Sequence, residues 1–222
     1  MAGRKRLSRG SQFQAGYTWS KFIQATSYLN ATDDRPEKVV SDQDHPHRFV
    51  IGGICELPVG RGLLLFGKAR GWLQNLAGGR QAQGWYEGQS GQSLGFGNSI
   101  FHGDLHDIPL PVSERNITRW FNADTGFERT SNRQLSNNIR TLSTRFNNVR
   151  CGGINNLDLS VFKTFRLRER WRAQFRAESC NALNHAQFDN PNLTPASTAF
   201  GTVTSERGHG QRRLTFAIKL LF

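Results

Sequence analysis

The chain has 222 residues, 36% of them hydrophobic, with 29 Lys and Arg against 17 Asp and Glu for a net charge of +12. No apolar run approaches the roughly 20 residues of a membrane-spanning helix, which excludes that class but leaves a β-barrel, whose strands alternate lipid-facing and lumen-facing residues. Arginines are spread from Arg4 to Arg213 without a helical basic stripe or a nucleic-acid-binding motif, so nucleic acid is not an expected partner.

The opening "MAGRKRLSRG" has the charge of a signal's first segment but lacks the apolar stretch that must follow. Residues 1–11 therefore read as a non-native-looking or disordered segment without an export signal. Six strands of useful length follow. Residues 13–22 alternate Phe13, Ala15, Tyr17 and Trp19 against Gln14, Gly16, Thr18 and Ser20. Residues 48–57 place Phe49, Ile51, Cys55 and Leu57 opposite Arg48 and Glu56, and residues 80–92 form the least regular of the six. Residues 156–167 oppose Leu157, Leu159, Val161, Phe165 and Leu167 to Asn156, Asp158, Ser160, Thr164 and Arg166. Residues 170–183 set Trp171, Ala173, Phe175 and Ala177 against Arg170, Arg172, Gln174, Arg176 and Glu178. The chain closes on "RRLTFAIKLLF", with Leu214, Phe216, Ile218, Leu220 and Phe222 on one side. Helical signals are sparse, the best being 63–79.

Connection lengths orient these strands. Only "RER" separates the fourth from the fifth, whereas a long stretch rich in Asn, Pro, Gly and Ser separates the fifth from the sixth. Short periplasmic turns and long external loops are the asymmetry of outer-membrane barrels. If the last strand descends, residues 23–46 form another external loop and 93–154 a very long one, with short strands expected around 119–127. The fold class is all-β: an antiparallel meander of about six long strands, part of an outer-membrane β-barrel.

In order along the chain, "YTWSKFI", "DHPHRFVIGGICELPVGRG", "GWYEGQSGQSLGFGN", "INNLDLSVFKTF" and "RWRAQFRAESCNALNHAQFDNPN" resemble blocks of the Oar-like branch of TonB-dependent receptors. The closing "ESCNALNHAQF…GHGQRRLTFAIKLLF" resembles that family's end, an Asn-rich element after the penultimate strand and a final strand ending in Phe. The resemblance implies a large plugged barrel that imports or exports a bulky solute, with outer-membrane lipid, a plug domain and the TonB system as partners. Phe222 resembles the terminal signal read by the outer-membrane assembly machinery. Residues 12–222 would be the last part of such a barrel, from a truncated or internally started reading frame, in a Gram-negative outer membrane once an export signal is supplied.

Candidate site residues follow from the faces. Asp158, Arg166, Arg170, Arg172, Arg176 and Glu178 point inward, where they would contact acidic groups on a plug, contact an anionic solute, or be solvated lumen charge. His45 and His47 are two apart near Asp42 and Asp44, but no third His or Cys is in register, and a polar rim is the expectation rather than a metal site. "GQSGQSLG" lacks the Gly two places after Ser90 that a nucleophile elbow needs. Cys55, Cys151 and Cys180 have no metal-like spacing and could form one disulfide at most. Trp19, Trp85, Trp171 and Phe222 read as interfacial girdle residues in preference to stacking platforms. No cofactor and no enzyme activity are expected. The competing classes are a soluble basic β-protein binding nucleic acid or another polyanion, and an enzyme on a small barrel.

Overall fold

Alternation with a period of two makes strands of all six predicted segments, and their register stacks them in chain order. The computed structural model describes residues 2–7, 10–57, 80–134, 138–167, 170–208 and 210–222. Its strands are β1 (Ala2–Leu7), β2 (Ser11–Trp19), β3 (Ile23–Gln24), β4 (Val39–Val40), β5 (His47–Glu56) and β6 (Arg80–Gln89). After these come β7 (Ser93–Leu94), β8 (Phe146–Arg150), β9 (Ile154–Arg166), β10 (Arg172–Cys180) and β11 (Arg213–Leu221). Three short 3-10 turns, and no α-helix, accompany them among the described residues. The helical candidate at 63–79 and most of the "RER" turn lie outside the described residues.

The main sheet has the order β1-β2-β5-β6-β9-β10-β11, with every described pairing antiparallel. The six expected strands are six of its seven members. The seventh was not among the six expected strands: Ala2–Leu7 pairs with β2 from Ala2 opposite Gly16 to Leu7 opposite Ser11. Backbone hydrogen bonding to an existing edge needs no apolar pattern, which is why the basic sequence gave no warning. The sheet is open, with β1 and β11 at its two edges.

Strict alternation of direction puts three long connections, 20–46, 90–153 and 181–212, at the same end of the sheet. The first carries the β3–β4 hairpin and the second the β7–β8 pair. Residues 119–127 do not form a strand; they supply only the isolated bridges Asn116–Arg119 and Phe101–Phe127.

The hydrophobic core sits in these connections and not on the sheet. Leu94, Phe96, Ile108, Phe121, Phe127, Leu142, Phe146, Val149, Cys151 and Phe200 form one buried cluster. Phe96 is its hub, with ring centroids 5.0 Å from Phe121, 4.8 Å from Phe127 and 5.4 Å from Phe146. Edge-to-face packing of this kind adds about 0.5–1.5 kcal/mol per pair beyond burial.

Candidate functional site

Cross-strand partners share a face, so the register sorts every side chain of the sheet. One face carries Phe13, Tyr17 and Trp19 on β2, Phe49 and Ile51 on β5, and Tyr86 on β6. It continues through Leu157, Leu159 and Val161 on β9, Phe175 on β10, and Leu214, Phe216, Ile218 and Leu220 on β11. Most of these side chains are exposed, Ile218 at 74%. A contiguous apolar surface of this extent has no stable contact with water and marks a face that meets lipid. Aromatic residues gather at its two ends. Tyr17 donates to or accepts from His47 Nδ1 at 2.8 Å and stacks on its ring near the external end, and Phe222 packs on Trp171, centroids 5.5 Å apart, at the other. These are the positions of interfacial girdles.

The opposite face is polar: Gln12, Gln14 and Thr18, then Arg48, Gln83, Glu87, Asn156, Asp158, Ser160, Arg166, Arg172, Gln174, Arg176, Glu178, Thr215 and Lys219. Five of the six predicted inward residues lie here on β9 and β10, and Arg170 lies just before β10. Arg176 Nε reaches Glu178 Oε1 at 2.8 Å, and its guanidinium stands 5.7 Å from the centre of the Phe162 ring. Asp158 accepts the Asn181 backbone N–H at 2.9 Å and the Asn156 side chain at 3.1 Å. Arg166 and Arg172 are direct cross-strand partners. No carboxylate among the described residues forms an ion pair with either. Trp85 also belongs to this polar face, opposite Gly52 and Asp158 in register. It is therefore not a girdle residue, unlike Trp19 and Trp171.

Beyond the external ends of the strands, the three long connections lock into one cap. Asp44 accepts the Phe22 N–H at 2.6 Å and an Arg150 N–H at 2.7 Å, joining the first connection to the second. Arg150 also donates to the carbonyls of Asp44 and Gly91, each at 3.0 Å, and Lys21 donates to Asn147. Arg145 pairs with Asp42 at 3.1 Å, and the Thr144 hydroxyl donates to Glu37 at 2.8 Å. The second connection holds the third through Arg129, which donates to the Pro195 and Ser197 carbonyls and lies 5.0 Å from the Phe200 ring centre. Asn181, left-handed at φ 47°, ties the third to the end of β10: its side chain donates to the carbonyls of His185 and Gly210 and accepts the His185 N–H.

Burial opposes ionisation of Asp44, but the Phe22 N–H and the Arg150 guanidinium outweigh it and hold the carboxyl below the ordinary aspartate value. In the same cap, the Thr130 backbone N–H and hydroxyl hold the Glu128 carboxyl low.

A sheet with one lipid-facing side, one polar side and its loops massed at one end is half of what a membrane barrel requires. The family model described as "Outer membrane beta barrel domain" matches residues 1–215. The chain belongs to that outer-membrane β-barrel family. Comparison with curated proteins and with solved structures returned no match.

As an outer-membrane barrel domain, the protein resides in the outer membrane with its apolar face against lipid. A soluble polyanion-binding protein would have to expose that face to water, and the reading is not favoured. The barrel's other sequence candidates have local roles. His45 Nδ1 lies 2.8 Å from the Ser90 carbonyl, while His47 opens β5 against Tyr17, so the two histidines serve different contacts. Cys55, Cys151 and Cys180 are all free thiols. Cys151 is buried in the cap, 3.3 Å from an Arg207 nitrogen. The cap itself escaped sequence reasoning. Its signal was a density of Phe between 96 and 146 without any period, which names a core but not its partners.

Proposed function

We infer that this chain forms part of the wall of a TonB-dependent, Oar-like receptor. Such a receptor passes a bulky solute, by uptake or export, through a lumen filled by a plug domain. Transport, with no catalytic residue and no cofactor, is the reading that the polar wall favours. The observation carrying it is the Arg166–Arg172 pair. Like charges directly opposite on a sheet destabilise it unless something anionic meets them. These two stand on the lumen face at the end away from the cap, beside Arg170, where acidic groups of a plug would reach them. Guanidinium groups suit carboxylates through paired N–H donors.

Two further features support the reading. Among the described residues the outer edges of β1 and β11 have no neighbouring strand, and lipid cannot satisfy the backbone donors and acceptors left there, so a complete wall needs those edges paired. Among the described residues β11 pairs through its whole length on one side only, with Leu214, Phe216, Ile218 and Leu220 on its lipid face, the form of an outer-membrane wall strand.

The test is a receptor carrying this wall and its own plug, with Arg166→Gln and Arg172→Gln together. Plug retention, followed by protease protection of the plug, should fall, as should uptake of the receptor's solute. Retention and uptake equal to the parent would refute a plug-facing or solute-facing role. Deleting Phe222 should separately reduce the amount of heat-modifiable protein in the outer membrane.

A further inference from the structure

Trp85 lies in the middle of β6 on the water-facing wall, where an indole has no lipid to meet, and it keeps 37% of its surface exposed. It is laid down on β5, because residue 52 is glycine: a Cβ there would stand 2.3 Å from Trp85 Cε3 and 2.8 Å from Cζ3. The close approach that only glycine permits turns the ring into a shelf. Beside the shelf, a hollow of about 240 Å³ is bordered by Gln12, Gln14 and Gln83. A second, of about 270 Å³, is bordered by Ser160, Asp158, Arg176 and Glu178, and it too includes Gln83 and Trp85. The charges of the second hollow are satisfied within the wall, Arg176 by Glu178 and Asp158 by Asn181 and Asn156. The amides of Gln12, Gln14 and Gln83 have no side-chain partner among the described residues.

An exposed aromatic face beside amides, with Arg176 and Glu178 paired to each other and Asp158 already hydrogen-bonded, offers no free cation and is matched by a ligand that is flat, apolar on its face, hydroxylated at its edge and uncharged. We propose that the Trp85 shelf binds a neutral oligosaccharide. The C–H face of one pyranose lies on the indole, and its edge hydroxyls meet Gln14 and Gln83, whose amides both donate and accept. The next sugar unit reaches the hollow at Ser160. A nucleotide base would stack on the same ring, but its phosphate would need a free cation, and Arg176, which borders the second hollow, is held by Glu178. The inference rests on the polar face being the solute-facing lumen of the barrel.

The experiment uses the full chain in outer-membrane vesicles, with maltohexaose, cellohexaose and chitohexaose as probes and AMP as the charged stacking control. At least one hexasaccharide should bind, more tightly than AMP. Trp85→Ala should weaken it roughly tenfold or more, the loss expected when a stacking aromatic is truncated. Trp85→Phe, which keeps a ring and guards against a folding defect, should lose less, and Gln83→Ala should weaken binding with the fold intact. No binding by any of the three sugars, tighter binding of AMP, or affinity unchanged in Trp85→Ala would each overturn the proposal. The fluorescence lost between wild type and Trp85→Phe should be quenched by acrylamide and spared by brominated lipid. Quenching by the lipid instead would overturn the lumen assignment itself, independently of the sugar result.

Discussion

Asp44 has no exposed surface, and the carboxylate that it hides is held 2.7 Å from the guanidinium of Arg150, a residue in a different connection of the barrel. Removing one partner of a buried ion pair strands the other, at a cost of about 3–5 kcal/mol. Arg150→Ala should therefore loosen the first connection from the second, which Arg145–Asp42 and Thr144–Glu37 still join. Limited proteolysis within residues 23–46 should accelerate, while the heat-modifiable migration of the barrel stays as in the parent.

The same pair makes the cap acid-labile. The folded value of Asp44 lies below its unfolded one, near about 3.9, so its contribution is fully present above that unfolded value. It is lost as the pH falls through the lower, folded value. Hydrogen exchange in the cap, followed on acidification, should rise below about pH 4. Asp44→Asn should flatten that dependence.

Truncating the hub of the cap core tests whether cap and sheet are separate folding units. Phe96 is 3% exposed and touches four other phenylalanines, so Phe96→Ala should cost the cap about 3–5 kcal/mol. Exchange protection should vanish across 94–151 and persist in β9 and β10. Loss of protection in both would show that the sheet depends on the cap.

Asn181 combines a left-handed backbone with three side-chain hydrogen bonds at a 1% exposed site. Asn181→Gly keeps the conformation but leaves buried groups unsatisfied, at about 1–3 kcal/mol each. Asn181→Ala adds backbone strain to the same loss. Protease access to 182–208 should therefore increase from parent to the glycine variant to the alanine variant.

The two faces of the terminal strand can be separated by arginine scanning. Phe216→Arg or Ile218→Arg puts a charge into lipid, costing about 2–4 kcal/mol near the midplane. Ala217→Arg, one residue away on the polar face, should cost far less. Denaturant unfolding in vesicles of the three variants, compared with the parent, reads this difference directly.

Much of the sheet was legible because strand periodicity is local. In β9, Leu157, Leu159 and Val161 against Asn156, Asp158 and Ser160 fix both the strand and its two faces without reference to any neighbour. The lengths of the connections then fixed which end carries the loops. β6 was harder, because its lipid-facing positions include Ala82, Gly84 and Gly88, too small to outweigh Trp85 on the other side. The face of Trp85 is read from its register against Gly52, a contact between strands.

By itself, then, the sequence determined the strands, their faces, the placing of Arg166, Arg172, Arg176 and Glu178 on one wall, and an end at which long loops gather. Those properties follow from a two-residue period and from chain connectivity. Only the tertiary structure decided that β1 joins the sheet, that Trp85 lies against Gly52 on the polar face, and that three connections share one core. It alone brought Asp44 to Arg150 and Arg129 to Pro195. Contacts between irregular segments leave no period in the sequence, because each partner's position is set by packing and by the demand that buried polar groups be paired.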